Sequence, residues 1–244
     1  AGGPHTLLYG VTTNHVLGIE FVTMDGTLVT TSGLADAPGY DITGLICGSE
    51  GTLGIVTKAT VQLLRSPAAV KTLLASFDSV ASCSAAVSGI VAAGVVPAAV
   101  EMMDQLALEA ISQFIPQANL PTDAAAVLLL DLDGVPSELE EQEASIRAVL
   151  QNTEARAIRV ARDAAERDLF WLGRKHAFGA VGRISPDYYV QDGVIPRTSI
   201  SPVLKEIGLI SRSFDIPIAN VFHAGDGNLH PLLLFDNRVA GALE

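Results

Sequence analysis

Two histidines, His223 and His230, bracket the residues Ala-Gly-Asp-Gly-Asn-Leu directly after the apolar run Ile218–Phe222. Neutral imidazole ligates zinc, manganese or iron, and Asp226 and Asn228 are the kind of groups that orient ligands or bind a polar substrate. Seven residues along an uninterrupted strand would put the two rings on opposite faces. Gly225 and Gly227, however, let the backbone fold back and bring them together. Two histidines, two glycines, an Asp and an Asn within eight residues are a costly collection for a purely structural turn beside an apolar strand. The segment is therefore a candidate metal or substrate site. It is incomplete as a metal centre, because catalytic sites take a third protein ligand and keep one position open.

Two further segments carry candidate chemistry. Gly48-Ser49-Glu50-Gly51-Thr52-Leu53-Gly54-Ile55 spaces its glycines so that backbone N–H groups can approach a phosphate or pyrophosphate, although a glycine-rich turn between strands has the same spacing. It matches neither the dinucleotide nor the P-loop fingerprint. Arg174, late in a helix read over 163–178, offers a guanidinium fork that can grip a carboxylate bidentately. An ordinary surface cation at a helix C-terminus would read the same way. Arg183, Tyr188, Tyr189 and Arg197 are weaker pocket candidates, since strand aromatics more often pack. Glu101, in Val100-Glu-Met-Met-Asp104, is equally consistent with core packing, and His5, His15 and His176 default to structural or exposed positions.

These segments need elements to hold them. The chain has 244 residues, 49% hydrophobic and 17% charged, a composition that orders and buries a sizeable core. Its net charge of −12 argues against a sequence-independent grip on nucleic acid or on an anionic membrane, both of which require clustered Lys and Arg. Cys47 and Cys83 form no Cys-x-x-Cys pair, which fits a reducing compartment. The richest apolar stretch, 90–100, is broken by Gly94 and Pro97 and is too short for a membrane span. Ala1 to His5 lacks an initiating Met and a secretory signal, so the chain reads as an internal piece of a longer polypeptide.

Residues 18–23 and 27–30 around Met24-Asp-Gly26 predict a hairpin, and 58–64 a strand, in a small β-rich part. The pattern changes at Ser66-Pro67, which places a domain boundary there. Beyond it, strands are expected at 71–77, 98–102, 126–132, 157–160, 188–191 and 218–222. Helices are expected at 79–93, 104–114, 138–152 (capped near Ser137), 163–178 and 202–214. The fold class is α+β, most simply an antiparallel sheet with helices on one face.

Taken together, Gly48–Thr57, Val100–Asp104, Gly182-Arg-Ile-Ser-Pro-Asp-Tyr-Tyr189 and His223–His230 closely resemble the flavin-bearing subunits of glycolate oxidase. These are grouped with FAD-linked D-lactate and D-2-hydroxyglutarate dehydrogenases in the vanillyl-alcohol-oxidase type of flavoprotein. The resemblance runs along essentially the whole chain. It implies that residues 1–66 are the C-terminal part of an FAD-binding domain, and that 67–244 form a ferredoxin-like substrate (cap) domain with an antiparallel sheet. It implies non-covalent FAD along Ala1-Gly2-Gly3, Gly10, Gly48, Ser49, Glu50, Gly51, Thr52 and Gly54, with Ile55 toward the adenine. It further implies a divalent metal (zinc, manganese or iron) on His223 and His230, with the substrate held by Arg174 and Asn228.

The expected activity is oxidation of a small 2-hydroxy acid, glycolate to glyoxylate, with D-lactate a second substrate. The alternatives are a D-lactate or D-2-hydroxyglutarate dehydrogenase, or a non-catalytic assembly module. A pyrophosphate loop before Ala1 and a Glu and a catalytic His after Glu244 are also implied, so the isolated chain is expected to be inactive. Expected partners are a second flavin-type subunit and an iron–sulfur subunit, in the cytoplasm or peripherally at the inner face of the membrane.

Overall fold

The structure is a computed structural model and describes residues 3–31 and 39–241. The chain divides into two compact units, Ala1–Ser66 and Pro67–Glu244. In the first, α1 (Thr6–Tyr9) precedes β1 (Val16–Val22) and β2 (Leu28–Thr30), and α2 (Ile42–Ile46) precedes β3 (Ile55–Val61). The strands form an antiparallel sheet in the order β2-β1-β3. The hairpin forms where Met24-Asp-Gly26 predicts it. Gly26 takes a positive φ, and Asp25 accepts from the Thr23 hydroxyl and the Thr27 amide. Ile19 and Phe21 point inward from β1 onto Ile46 of α2, whose first turn is capped by the Asp41 carboxylate. Ala1 and Gly2 lie outside the described residues.

The second unit runs β4 (Ala69–Phe77), α3 (Val80–Ala92), β5 (Ala99–Asp104), α4 (Gln105–Phe114), β6 (Ala126–Gly134), α5 (Pro136–Asn152) and β7 (Ala157–Val160). It continues through α6 (Ala164–Lys175), α7 (Ala177–Val181), β8 (Asp187–Val190), β9 (Gly193–Val194), α8 (Ile200–Phe214), β10 (Ile218–His223), β11 (Asn228–Leu229) and β12 (Pro231–Phe235). The first four strands stand in the order β7-β4-β6-β5, all pairs antiparallel, which is the ferredoxin-like arrangement. β10 extends it along β5, and β11, β9, β12 and β8 continue from β10.

Helices cover both faces of this sheet, not one. Ala99–Met103 and Ala126–Leu132 are buried without alternation, as strands covered on both sides must be. α3 and α5 pack together over β4 and β6, with α8 beside them against α3 and β10. On the opposite face Leu74, Met103, Val127, Leu129 and Val221 meet α4, α6 and α7 in one core. The cause is α4, which stands where a ferredoxin-like array would have a tight hairpin between β5 and β6. Its apolar stripe of Ala107, Leu108, Ala110 and Ile111 needs a core of its own.

Two local expectations change. Pro136 occupies the first turn of α5, and Ser137 makes no cap there. The long helix read over 163–178 is divided at His176 into α6 and α7.

Asp104 ends β5 and caps α4. Its carboxylate accepts from Ala107 N at 3.1 Å and from both the main-chain and side-chain amides of Asn220 at 2.8 Å, tying β5, α4 and β10 together. Burial, outweighing those three donors, raises its carboxyl to about 6. The folded chain therefore holds this proton more tightly than an unfolded chain, whose Asp titrates near ~3.9. The cost of keeping Asp104 ionised is full above pH 6 and disappears as pH falls toward 4. Wild type should accordingly gain roughly 1–2 kcal/mol over Asp104→Asn between pH 7 and pH 4, measured by denaturant unfolding. A difference that stays flat over this range would refute the raised carboxyl.

Candidate functional site

The site is built around Glu101, a fully buried carboxylate in the middle of the sheet. Arg174 of α6 donates from Nε to Oε2 at 2.6 Å, and its Nη2 lies 2.6 Å from the same oxygen. His223, at the end of β10, sets Nδ1 at 2.8 and 2.9 Å from the two carboxylate oxygens. Strand register makes this possible, because Glu101 and His223 are direct partners across β5 and β10. A carboxylate accepts, so Nδ1 of His223 is the nitrogen that donates to Glu101, which leaves Nε2 as the ring's other nitrogen.

The loop after β10 brings the second imidazole in. His223 pairs with Asn228, so Ala224–Gly227 form a four-residue turn, and the His223 and His230 rings stand edge to face at 5.0 Å. Gly227 supplies the reversal. Its φ is +77, and a Cβ there would lie 2.1 Å from the Ile195 carbonyl oxygen. Gly225, which the sequence suggested as a second hinge, has no positive φ; its amide donates to Val100 O at 3.1 Å. Arg197 braces the turn through Gly225 O, and Asp226 accepts from Asn228 N.

Asn228 donates from Nδ2 to Asp192, which also lies 3.6 Å from His230 Nε2. His230 Nδ1 and Asn228 Oδ1 are buried without a hydrogen-bond partner. Burial, and then the nearby His223, lower the His230 pKa, while Asp192 and the Val221 backbone pull the other way. The lowered value favours a neutral ring.

Structure thus gathers His223, His230, Asn228 and Arg174, and adds two residues absent from the sequence-based set, Glu101 and Asp192. A glutamate inside an otherwise apolar strand was the available signal for Glu101. Nothing local distinguishes Asp192. Arg174 differs from expectation in one respect: its Nε–Nη2 edge is committed to Glu101, which leaves Nη1 for a ligand. Arg183 stacks on Phe114, and Tyr188 packs against Gly182, so neither reaches the cluster through these contacts. Tyr189 is more than half exposed on β8. Among the described residues, no group of three His, Cys, Asp or Glu side chains is arranged to hold a metal ion.

In the first unit, Gly48, Ser49, Glu50, Gly51, Gly54 and Ile55 line a concavity of about 410 Å³ floored by Ile19 and Ile46. Gly48, Glu50 and Gly51 all take positive φ, and a Cβ on Gly54 would meet Val22 O at 2.7 Å. Such a turn exposes backbone amides on its concave side, which suits a cofactor phosphate or ring edge. Thr52 bonds back to Ser49 O, and Thr52, Gly3 and Gly10 do not line this concavity.

Residues 66–244 match the family FAD linked oxidases, C-terminal domain, and the chain belongs to that family. It is 50% identical over 242 residues to glycolate oxidase subunit GlcD of Escherichia coli (strain K12) and 38% identical over 246 residues to the subunit of the same name of Bacillus subtilis (strain 168). It is 33% identical over 245 residues to a probable mitochondrial D-lactate dehydrogenase of Danio rerio. These matches take in 99%, 100% and 97% of this chain but 48%, 52% and 48% of the relatives, so it spans about half their length.

Among solved structures, an alkyldihydroxyacetonephosphate synthase superposes with TM-score 0.73 at 17% identity, covering 96% of this chain and 48% of that one. A p-cresol methylhydroxylase does so with TM-score 0.65 at 12% identity, covering 93% and 52%. The shared fold is that of vanillyl-alcohol-oxidase-type flavoproteins.

Removing Glu101 should be costly. Glu101→Ala leaves the Arg174 guanidinium, only 11% exposed, without its counter-charge. A loss of about 3 kcal/mol or more is expected, with Glu101→Gln losing less because it keeps an acceptor. Urea unfolding reads both, and equal stability of wild type and Glu101→Ala would contradict the clamp.

Proposed function

We propose that the chain is the substrate-side half of an FAD-dependent enzyme that oxidises a small 2-hydroxy acid, glycolate to glyoxylate first and D-lactate second. The observation that carries this reading is the Glu101 clamp, which holds a guanidinium and an imidazole side by side next to a second imidazole with an unsatisfied buried nitrogen. Residues 1–66 act as the C-terminal part of the FAD-binding domain and 67–244 as the substrate domain. Gly48, Ser49, Glu50, Gly51, Gly54 and Ile55 would hold FAD non-covalently, with Gly3, Gly10 and Thr52 further along it. His223 and His230 would hold a divalent metal (zinc, manganese or iron) through two of its positions. When bound, FAD supplies a hydride acceptor, and the metal supplies a Lewis acid at the substrate hydroxyl.

The chain's own residues do the orienting. Arg174 Nη1 binds the substrate carboxylate, while Asn228, fixed by Asp192 and the Asp226 turn, offers its amide oxygen to a donor on the substrate. Glu101 keeps Arg174 and His223 in place, which fixes the substrate carbon relative to its acceptor and removes the entropy of aligning them. The word subunit in the names of two relatives supports a multi-subunit assembly; its electron-passing partners would be a second flavin-type subunit and an iron–sulfur subunit, in the cytoplasm. No helix of the described residues is long and apolar enough to cross a membrane, and attachment to a membrane would run through those subunits.

The test uses the full-length protein that contains this chain, with an artificial electron acceptor and glycolate, D-lactate and D-2-hydroxyglutarate in parallel. Glycolate turnover is expected to lead, and His223→Ala is expected to lose bound metal by elemental analysis. Its rate should fall by more than about 100-fold, since even outer-shell partners of metal ligands cost 10–100-fold. Preferred D-lactate turnover selects the D-lactate dehydrogenase reading. Unchanged metal content and rate remove the metal assignment, and no turnover of any 2-hydroxy acid removes the enzyme reading in favour of an assembly module.

A further inference from the structure

A second buried carboxylate lies on the same sheet face and is not used above. Asp131 in β6 is 1% exposed. It accepts from the Thr72 hydroxyl at 2.5 Å, Arg167 Nη2 at 2.8 Å and Trp171 Nε1 at 3.0 Å. Register pairs Asp131 with Ala99 and Leu129 with Glu101, so Asp131 and Glu101 rise from one face on adjacent strands, two residues out of step. Facing them on α6 are Arg167, Trp171 and Arg174, at i, i+4 and i+7 of a single helical stripe. Seven helical residues span about 10 Å, and the diagonal between the two carboxylates is about 8 Å, so one helix can rest on both. Asp131 takes its first turns and Glu101 its last.

The helix also makes one close approach. A Cβ on Gly173 would lie 2.8 Å from Leu120 and 3.2 Å from Ala118, so α6 is already pressed against the Pro116–Ala118 turn. Most of the sheet face under α6 is apolar, Leu74, Ala99, Met103, Val127 and Leu129, with Thr72 and Arg159 the other polar residues beside them. A leucine at 131 would pack there without the desolvation cost of a carboxylate, though it would take the acceptor from Thr72, Arg167 and Trp171. Apolar contact is non-directional, however, and would let a helix slide or rotate. Hydrogen bonds from Arg167 and Trp171 to one carboxylate fix both motions. A rotation of one residue, about 100°, would swing Arg174 away from Glu101.

We propose that Asp131 is a positioning residue: it sets the register of α6 on the sheet and so holds Arg174 where a substrate carboxylate meets it. This rests on the role given to Arg174 above. The test uses the full-length enzyme with Asp131→Leu, which fills the site without directing it, and Asp131→Asn, which keeps the shape and an oxygen for Trp171 if the leucine variant does not fold. Asp131→Leu is expected to raise KM for glycolate about 10-fold or more with kcat changed by less than about threefold, and Asp131→Asn to fall between it and wild type.

The decisive arm is the double variant. In an Arg174→Lys background the Asp131→Leu effect on KM should vanish, because the two residues act through one contact. Normal KM in both Asp131 variants, or the same fold-change with and without Arg174, overturns the proposal. Wild-type turnover and the effect of Arg174→Lys alone report separately on the reading it rests on: if either fails, that reading falls first.

Discussion

A carboxylate inside a sheet buried on both faces cannot remain ionised alone, and Glu101 is such a carboxylate. Its partners come from far along the chain, Arg174 at 73 residues' separation and His223 at 122. Desolvation therefore turns a local cost into a long-range constraint: β5, α6 and β10 must all arrive together, or a charge is left unpaired in low dielectric. The same pairing decides the chemistry. It turns Nδ1 of His223 toward the carboxylate and commits one edge of the Arg174 guanidinium while sparing the other.

The architecture that permits this is a ferredoxin-like array with two additions. α4 between β5 and β6 brings a helix to the second face of the sheet, where α6 and α7 then join it in one core. β10 extends the β5 edge and carries the histidine loop to within hydrogen-bonding distance of Glu101. Without the first addition α6 would have no core to pack into. Without the second, Glu101 would have no histidine. Glu101, His223 and Arg174 stand on strands and a helix face, which are rigid supports, while Asp192, the turn at Gly227 and His230 lie between strands.

Much of this was legible in the residues. Strand and helix spans follow from periodicity, and the caps Ser79, Asp104 and Asp163 mark their helix starts through side-chain bonds to the backbone. The histidine loop could be read because density of polar residues beside an apolar strand is local. What could not be read is non-local. Glu101 looks like a strand-end residue until register places His223 opposite it. Asp131 looks like a strand carboxylate until α6 is seen above it. Coverage of both sheet faces was hidden because a continuous apolar run fits a strand whatever lies on its second side. The break at His176 was missed because 163–178 contains no proline, and its only glycine before the break, Gly173, serves close packing.

The charge of the cluster narrows what can occupy it. Glu101 and Arg174 balance one another, burial holds His230 toward neutrality, and Asp192 brings a negative charge to 3.6 Å from His230 Nε2. Native folds rarely leave buried polar atoms unsatisfied, yet His230 Nδ1 and Asn228 Oδ1 both lack partners here. An anion alone would satisfy Arg174 Nη1 but not the lone pair of an amide oxygen. A cation alone would satisfy the acceptors but sit close to the Arg174 charge. Under the proposed function, a divalent cation together with a carboxylate-bearing hydroxy acid would satisfy both at once, its two charges offset by the acid's carboxylate and Asp192. Such complementarity would favour binding of metal and substrate in concert, each reducing the electrostatic cost of the other.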